Sequence, residues 1–187
     1  MIKVAIVGNI ASGKSSVEQI LTKEGFPVLD TDKVCHEWLV KADEIKERFA
    51  GYDVFDNGVV SREKLGRLVF SDAELKKDLE NLLYPYVRVE IARFFAKNIK
   101  SKYAFVSAPQ LYEAGMEDLF DKVLFICCDD ELRLKRLIAR NGYSEDYAKL
   151  RMSAQSSQEE KLKKADWIVN NNSTKENLAK AVLKLVE

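Results

Sequence analysis

The chain has 187 residues, 47% of them hydrophobic and 32% charged, enough for an apolar core under a solvated surface, so a disordered chain is excluded and a single domain is expected across 1–187. Thirty basic side chains balance thirty acidic ones, so no global field draws the protein to nucleic acid or to an anionic membrane, and neither is an expected partner. The longest apolar runs, such as Val4 to Val7 and Val123 to Cys128, fall far short of the roughly 20 residues that span a bilayer.

The first element is a strand, Ile2 to Val7. It leads into a glycine loop rather than a small-residue cleavage site, so it does not read as a signal peptide. Val17, Ile20 and Leu21 then recur at helical spacing, and Gly25 is placed to cap that helix at its C-terminus. A second strand is predicted at Phe26 to Leu29, followed by a helix through Val34, Trp38 and Leu39. Asp53 to Gly58 reads as a loop. From Ser61 to Lys100 there is no strand signal. Leu65, Leu68 and Val69, then Leu75, Leu79, Leu82 and Leu83, mark helical stripes, with Ser71 and Glu74 as a capping box. This excursion is too long for one crossover and predicts a helical insertion at about 60–100.

Three more strands are predicted at Tyr103 to Val106, Lys122 to Cys127 and Trp167 to Val169. None alternates between apolar and polar, as expected of a parallel sheet covered on both faces. Between the last two, the polar stretch from Arg140 to Lys164 reads as a helical lid at about 140–164. Thr174 opens a closing amphipathic helix through Leu178, Val182 and Leu185.

The run Gly8-Asn9-Ile10-Ala11-Ser12-Gly13-Lys14-Ser15, continued by Ser16, matches the phosphate-binding loop pattern at every fixed position. It follows an apolar strand and opens a helix, as the chemistry requires: backbone N–H groups and a helix N-terminus converge on phosphate oxygens. Lys14 adds a point charge, and the Ser15 hydroxyl is a ligand for Mg²⁺ between the β and γ phosphates. ATP and Mg²⁺ are the cofactors this predicts.

Asp30-Thr31-Asp32 closes the second predicted strand, where ligands of open α/β sheets gather. Residues i and i+2 of a strand share a face, so one carboxylate can take a hydroxyl proton while the other bonds substrate or Mg²⁺. Equally, Asp32 can be the cap of the next helix. Both readings stand at this point. Arg133, Lys135, Arg136 and Arg140 lie on a helix with apolar Leu132, Leu134, Leu137 and Ile138. Such a run is ordinarily a solvated face; the place of Arg140 where the lid begins offers phosphate contact as the alternative, and the spacing alone does not decide between them. His36 is the only histidine, which sets aside a histidine-based metal centre or catalytic triad and leaves it a structural role. Cys35, Cys127 and Cys128, odd in number with two adjacent, suggest reduced cysteines in a cytoplasmic protein rather than a disulfide framework.

In this order the blocks resemble the dephospho-CoA kinase family, which catalyses the last step of coenzyme A synthesis. The phosphate loop and Asp30-Thr31-Asp32 are similar to the family's motifs, and His36 falls where a histidine is common. Tyr84-Pro85-Tyr86-Val87-Arg88, Pro109-Gln110-Leu111-Tyr112-Glu113, Arg136 to Arg140 with Gln155, and Ala165 to Asn171 resemble its later blocks. The resemblance implies a three-layer α/β P-loop NTPase of nucleoside-monophosphate-kinase type, with a parallel five-stranded sheet, a helical acceptor subdomain and a lid. It implies ATP and dephospho-CoA as substrates, and a monomer or weak homo-oligomer is expected. By the same resemblance Lys14 and the loop hold ATP, Arg140 reaches the transferring phosphates, and Asp32 is the base on the 3′-hydroxyl. Asp30, Arg88 and Glu113 would help form the acceptor site. Asn9 and Ala11 stand where the family usually has glycines, Tyr84 replaces a histidine and Ser107 an acid. The alternatives are another small P-loop kinase acting on a nucleoside monophosphate or a sugar, or a non-enzymatic ATP-dependent switch.

Overall fold

The computed structural model describes residues 1–187, apart from the side chains of residues 40 and 41. Its backbone forms two compact units, one of Met1–Leu29 with Lys97–Glu187 and one of Asp30–Ala96.

The first unit contains β1 (Ile2–Val7) and α1 (Lys14–Lys23), and β2 (Val28–Asp30) leads out of it. The second contains α2 (Thr31–Lys41), α3 (Asp43–Arg48), β3 (Phe55–Asp56), β4 (Val59–Val60), α4 (Arg62–Ser71) and α5 (Ala73–Lys97), the last of which returns the chain to the first. There follow β5 (Tyr103–Ser107), β6 (Lys122–Cys127), α6 (Asp130–Asn141), α7 (Glu145–Ser153), α8 (Gln158–Leu162), β7 (Trp167–Asn170) and α9 (Lys175–Leu183). Among the described residues no helix is long and apolar enough to cross a membrane.

The sheet has five strands in the order β2-β5-β1-β6-β7. β1 runs parallel to β5 and β6, and β6 to β7. Val4 and Ile6 pack with Val17 and Leu21 of α1 and Leu178 and Val182 of α9, while Ala5 and Val7 are equally buried. Since successive side chains point to opposite faces, both faces are covered, and this is why the strands show no alternation. β2 is shorter at its start than the predicted Phe26 to Leu29 and reaches Asp30. Gly25, at φ +83°, ends α1 in a Schellman turn: its N–H donates to the Thr22 carbonyl and the Phe26 N–H to that of Leu21, both at 3.0 Å. Phe26 therefore belongs to the helix stop, with its ring packed edge-on to Phe105.

The second unit has its own core, built from Leu39, Ala42, Ile45, Phe49, Val54, Val60, Leu65, Leu75 and Leu79. It opens upstream of the helical stretch predicted from about 60 because α2 and α3 supply part of that core. The predicted loop Asp53 to Gly58 contains half of a hairpin, with Phe55 paired to Val60 and Asp56 to Val59. Asn57 and Gly58 turn it with φ of +50° and +78°, the paired left-handed conformations that make Asn-Gly a hairpin signal. The predicted capping box at Ser71 does not form. Ser71 stays helical and donates to the Leu68 carbonyl at 2.9 Å, whereas Asp72 is extended and accepts the N–H groups of Glu74 at 2.9 Å and Leu75 at 3.0 Å. A capping side chain needs the extended backbone that only Asp72 has.

Candidate active site

The phosphate loop joins β1 to α1, so its backbone ends on the N-terminus of a helix whose dipole favours anions. Gly13 adopts φ +101°, and a Cβ there would lie 2.0 Å from Asn171 Nδ2; one on Gly8 would lie 2.6 Å from Ser12 Oγ and 2.9 Å from the Ile126 carbonyl. These two glycines are steric requirements of the loop. Ala11, which stands where the resemblance expects glycine, takes φ +61° all the same. Lys14 Nζ donates to the Gly8 carbonyl at 2.6 Å. Ser12 Oγ is buried without a hydrogen-bond partner, an unmet polar group within the loop that also brings the Lys14 ammonium and the N-terminus of α1 together. That donor set fits a polyphosphate.

Asp30 and Asp32 do not share a strand face, because the chain turns helical at Thr31. Asp30 is the N-cap of α2, and its Oδ1 accepts the Asp32 N–H at 3.0 Å. Capping therefore belongs to Asp30, and Asp32 is exposed in the first turn. Both carboxylates act on their neighbours. Burial, then Asp32 and Asp30, push the Cys35 thiol up to about 11, which leaves it protonated and unreactive at neutral pH. His36 is held below its ordinary value by burial and by Arg62, with Asp32 and Asp30 opposing. Arg88, on α5 of the same unit, is half-buried.

The cationic helix α6 is not a uniformly solvated face. Arg133 is only 2% exposed; its Nε donates to the Ile10 carbonyl at 3.0 Å and its Nη1 to Asp130 at 2.6 Å. Arg136 donates to Cys128 Sγ at 3.2 Å and to the Asn171 carbonyl at 3.1 Å. Asn171 in turn donates from Nδ2 to the Ser12 carbonyl at 2.8 Å. Arg140 is exposed and donates to Asn141 Oδ1 at 2.9 Å.

Residues of the α7–α8 connection also reach the loop. Gln155 Oε1 accepts the Ile10 N–H at 2.7 Å, and the Ser156 carbonyl accepts from Asn9 Nδ2 at 2.9 Å. Glu113 accepts from Ser156 Oγ at 3.3 Å and lies 3.7 Å from Nζ of Lys161, whose side chain is 3% exposed. A cleft of about 710 Å³ runs along this side, lined among others by Asn9, Asp130, Arg133, Lys149 and Gln155. Sequence reasoning missed Arg133 as a contact of the loop. Its signal was the spacing of four to Leu137, which puts it on the buried stripe of α6.

A sequence model of the family described as dephospho-CoA kinase matches residues 2–177. A dephospho-CoA kinase of Geobacillus kaustophilus is 33% identical over 190 residues, covering 98% of this chain and 94% of that one. One of Sulfurimonas denitrificans is 35% identical over 187 residues, covering 98% and 92%. The solved dephospho-CoA kinase of Campylobacter jejuni superposes with a TM-score of 0.75 at 32% identity, covering 98% of this chain and 94% of that chain. A shikimate kinase of Acinetobacter baumannii, 14% identical with a TM-score of 0.59, shares the fold. The parallel sheet, the loop it carries and these matches along almost the whole chain agree: the chain belongs to the dephospho-CoA kinase family, which are ATP-dependent phosphotransferases.

Proposed function

We propose that this protein transfers the γ-phosphoryl group of ATP to the 3′-hydroxyl of dephospho-CoA, with roles assigned as follows. Lys14 and the loop from Gly8 to Ser16 hold the ATP phosphates. Asp32 accepts the proton of the attacking 3′-hydroxyl; that oxygen bonds the γ-phosphorus while the bond to the β–γ bridging oxygen breaks and ADP leaves. Arg140 meets the charge on the transferring group, and Asp30, Arg88 and Glu113 contribute to acceptor binding. The helical stretch at about 60–100 serves the acceptor, and the segment at about 140–164 closes over the nucleotide to exclude water.

The exposed Ser15 hydroxyl suits Mg²⁺, a hard cation that takes few protein ligands and otherwise phosphate oxygens and water. Among the described residues no group of three or more His, Cys, Asp or Glu is placed to hold a metal, so Mg²⁺ would enter with the nucleotide and neutralise its phosphate charge. The observation that carries the assignment of Asp32 is the cap: because Asp30 satisfies the start of α2, Asp32 is not needed to cap that helix.

The test is ATP offered with a panel of acceptors, dephospho-CoA, nucleoside monophosphates and sugars among them, with product mass as readout. Dephospho-CoA should gain one phosphoryl group. Phosphorylation of another acceptor instead, or ATP hydrolysis indifferent to acceptor, overturns the proposal.

A further inference from the structure

Ile10 is gripped on both sides of its own residue by side chains far away in sequence. Its N–H is held by Gln155 at 2.7 Å, 145 positions on, and its carbonyl by Arg133 at 3.0 Å, 123 positions on. The peptide groups flanking Ile10 are thus fixed, and with them the direction in which the rest of the loop departs.

Packing alone does not account for Arg133. Burying a guanidinium is unfavourable unless its donors are matched, and an apolar residue of similar size is often the more stable choice at such a site. Here the matching is incomplete. Arg133 Nη2 is buried without a partner, and Asp130, the carboxylate it pairs with, is 72% exposed. What Arg133 does satisfy is a loop carbonyl, and it places a fixed positive charge beside the Ile10 backbone. Preorganised donors and charges contribute most to phosphoryl transfer when they need not rearrange as the reaction proceeds.

We infer that Arg133 and Gln155 are positioning residues for phosphoryl transfer, which hold the Ile10 backbone so that the loop stays shaped for a polyphosphate. The inference rests on the reading of Gly8 to Ser16 as the ATP-binding loop. Gln155 lies between α7 and α8, in the segment assigned to the lid, so it also ties the loop to the element that closes.

The experiment compares Gln155→Met and Arg133→Met with the parent protein, measuring ATP and AMP binding by calorimetry, steady-state kinetics and thermal unfolding. AMP lacks the β and γ phosphates and so reports on the nucleoside and α-phosphate alone. For Gln155→Met, half-buried at a helix connection, ATP affinity should fall roughly tenfold and kcat/KM for ATP by at least as much, while AMP affinity stays within about twofold and Tm within about 2 °C. Arg133→Met should repeat the selective loss of ATP if it folds; Gln155→Met decides by itself if it does not. ATP affinity unchanged in Gln155→Met, or ATP and AMP weakened alike, overturns the inference. A parent protein that fails to bind ATP overturns the loop reading instead.

Discussion

The carboxylate of Asp30 accepts the backbone N–H of Asp32 at 3.0 Å, so two acids separated by one residue have different work: one ends a strand and starts a helix, the other rides in its first turn. Asp30→Ala should cost about 1 kcal/mol in urea unfolding, and Asp30→Asn almost nothing, because asparagine caps as well as aspartate. Asp32→Asn should lose no more than the roughly 0.3–1 kcal/mol of a first-turn charge on the helix dipole. Its kcat should nonetheless drop about 10²- to 10⁴-fold, as expected for a lost general base. Parent-like turnover would remove Asp32 from that role.

Ala11 and Gly13 both take left-handed backbone in the loop, at φ +61° and +101°, and only one is glycine. Replacing Ala11 by glycine relieves a conformation that costs a non-glycine residue about 1–2 kcal/mol, less the extra entropy of the unfolded chain. A net gain of about 0.5–1 kcal/mol is expected from denaturant unfolding. Gly13→Ala should act oppositely and more strongly, since its Cβ would lie 2.0 Å from Asn171 Nδ2. A destabilised Ala11→Gly would show that the surrounding structure, not the side chain, favours this φ.

Arg140 is exposed and bonded to Asn141 at 2.9 Å, so the role proposed for it requires a change of partner when nucleotide binds. Arg140→Lys keeps the charge and loses the planar fork. Turnover should fall by roughly 10²-fold with little change in Tm. Unchanged turnover would make Arg140 a solvated side chain and nothing more.

Asp166 ties β6 to the start of β7 by accepting the Val123 N–H at 2.8 Å and Lys122 Nζ at 3.0 Å. These contacts, chiefly the backbone N–H, hold its carboxyl below the ordinary value of 3.8. A folded pKa below the unfolded one stabilises above the unfolded value, and the gain is lost as pH falls through the folded value. Asp166→Asn should therefore cost less than about 1 kcal/mol at pH 7, because the side chain is 36% exposed. The gap from the parent should close below about pH 4. A gap that persists at pH 2 would mean that charge is not its source.

The strands, the phosphate loop, the Gly25 stop and the helical stretch after Ser61 were legible in the sequence because each depends on neighbours within a few positions: apolar spacing, a glycine's freedom at positive φ, a run of turn residues. The Asn57-Gly58 hairpin was written in the same local language and went unread. Tertiary structure decided the rest. Whether Asp30 or Asp32 caps α2, and Ser71 or Asp72 caps α5, turns on one residue of backbone conformation, which is set by where a strand or helix runs out against its core. Arg133 looks like any surface cation until α6 packs against the loop and takes water from it, and no local pattern joins Ile10 to side chains more than 120 positions away. Propensity acts along the chain, whereas solvation and long-range hydrogen bonding depend on what packs across space.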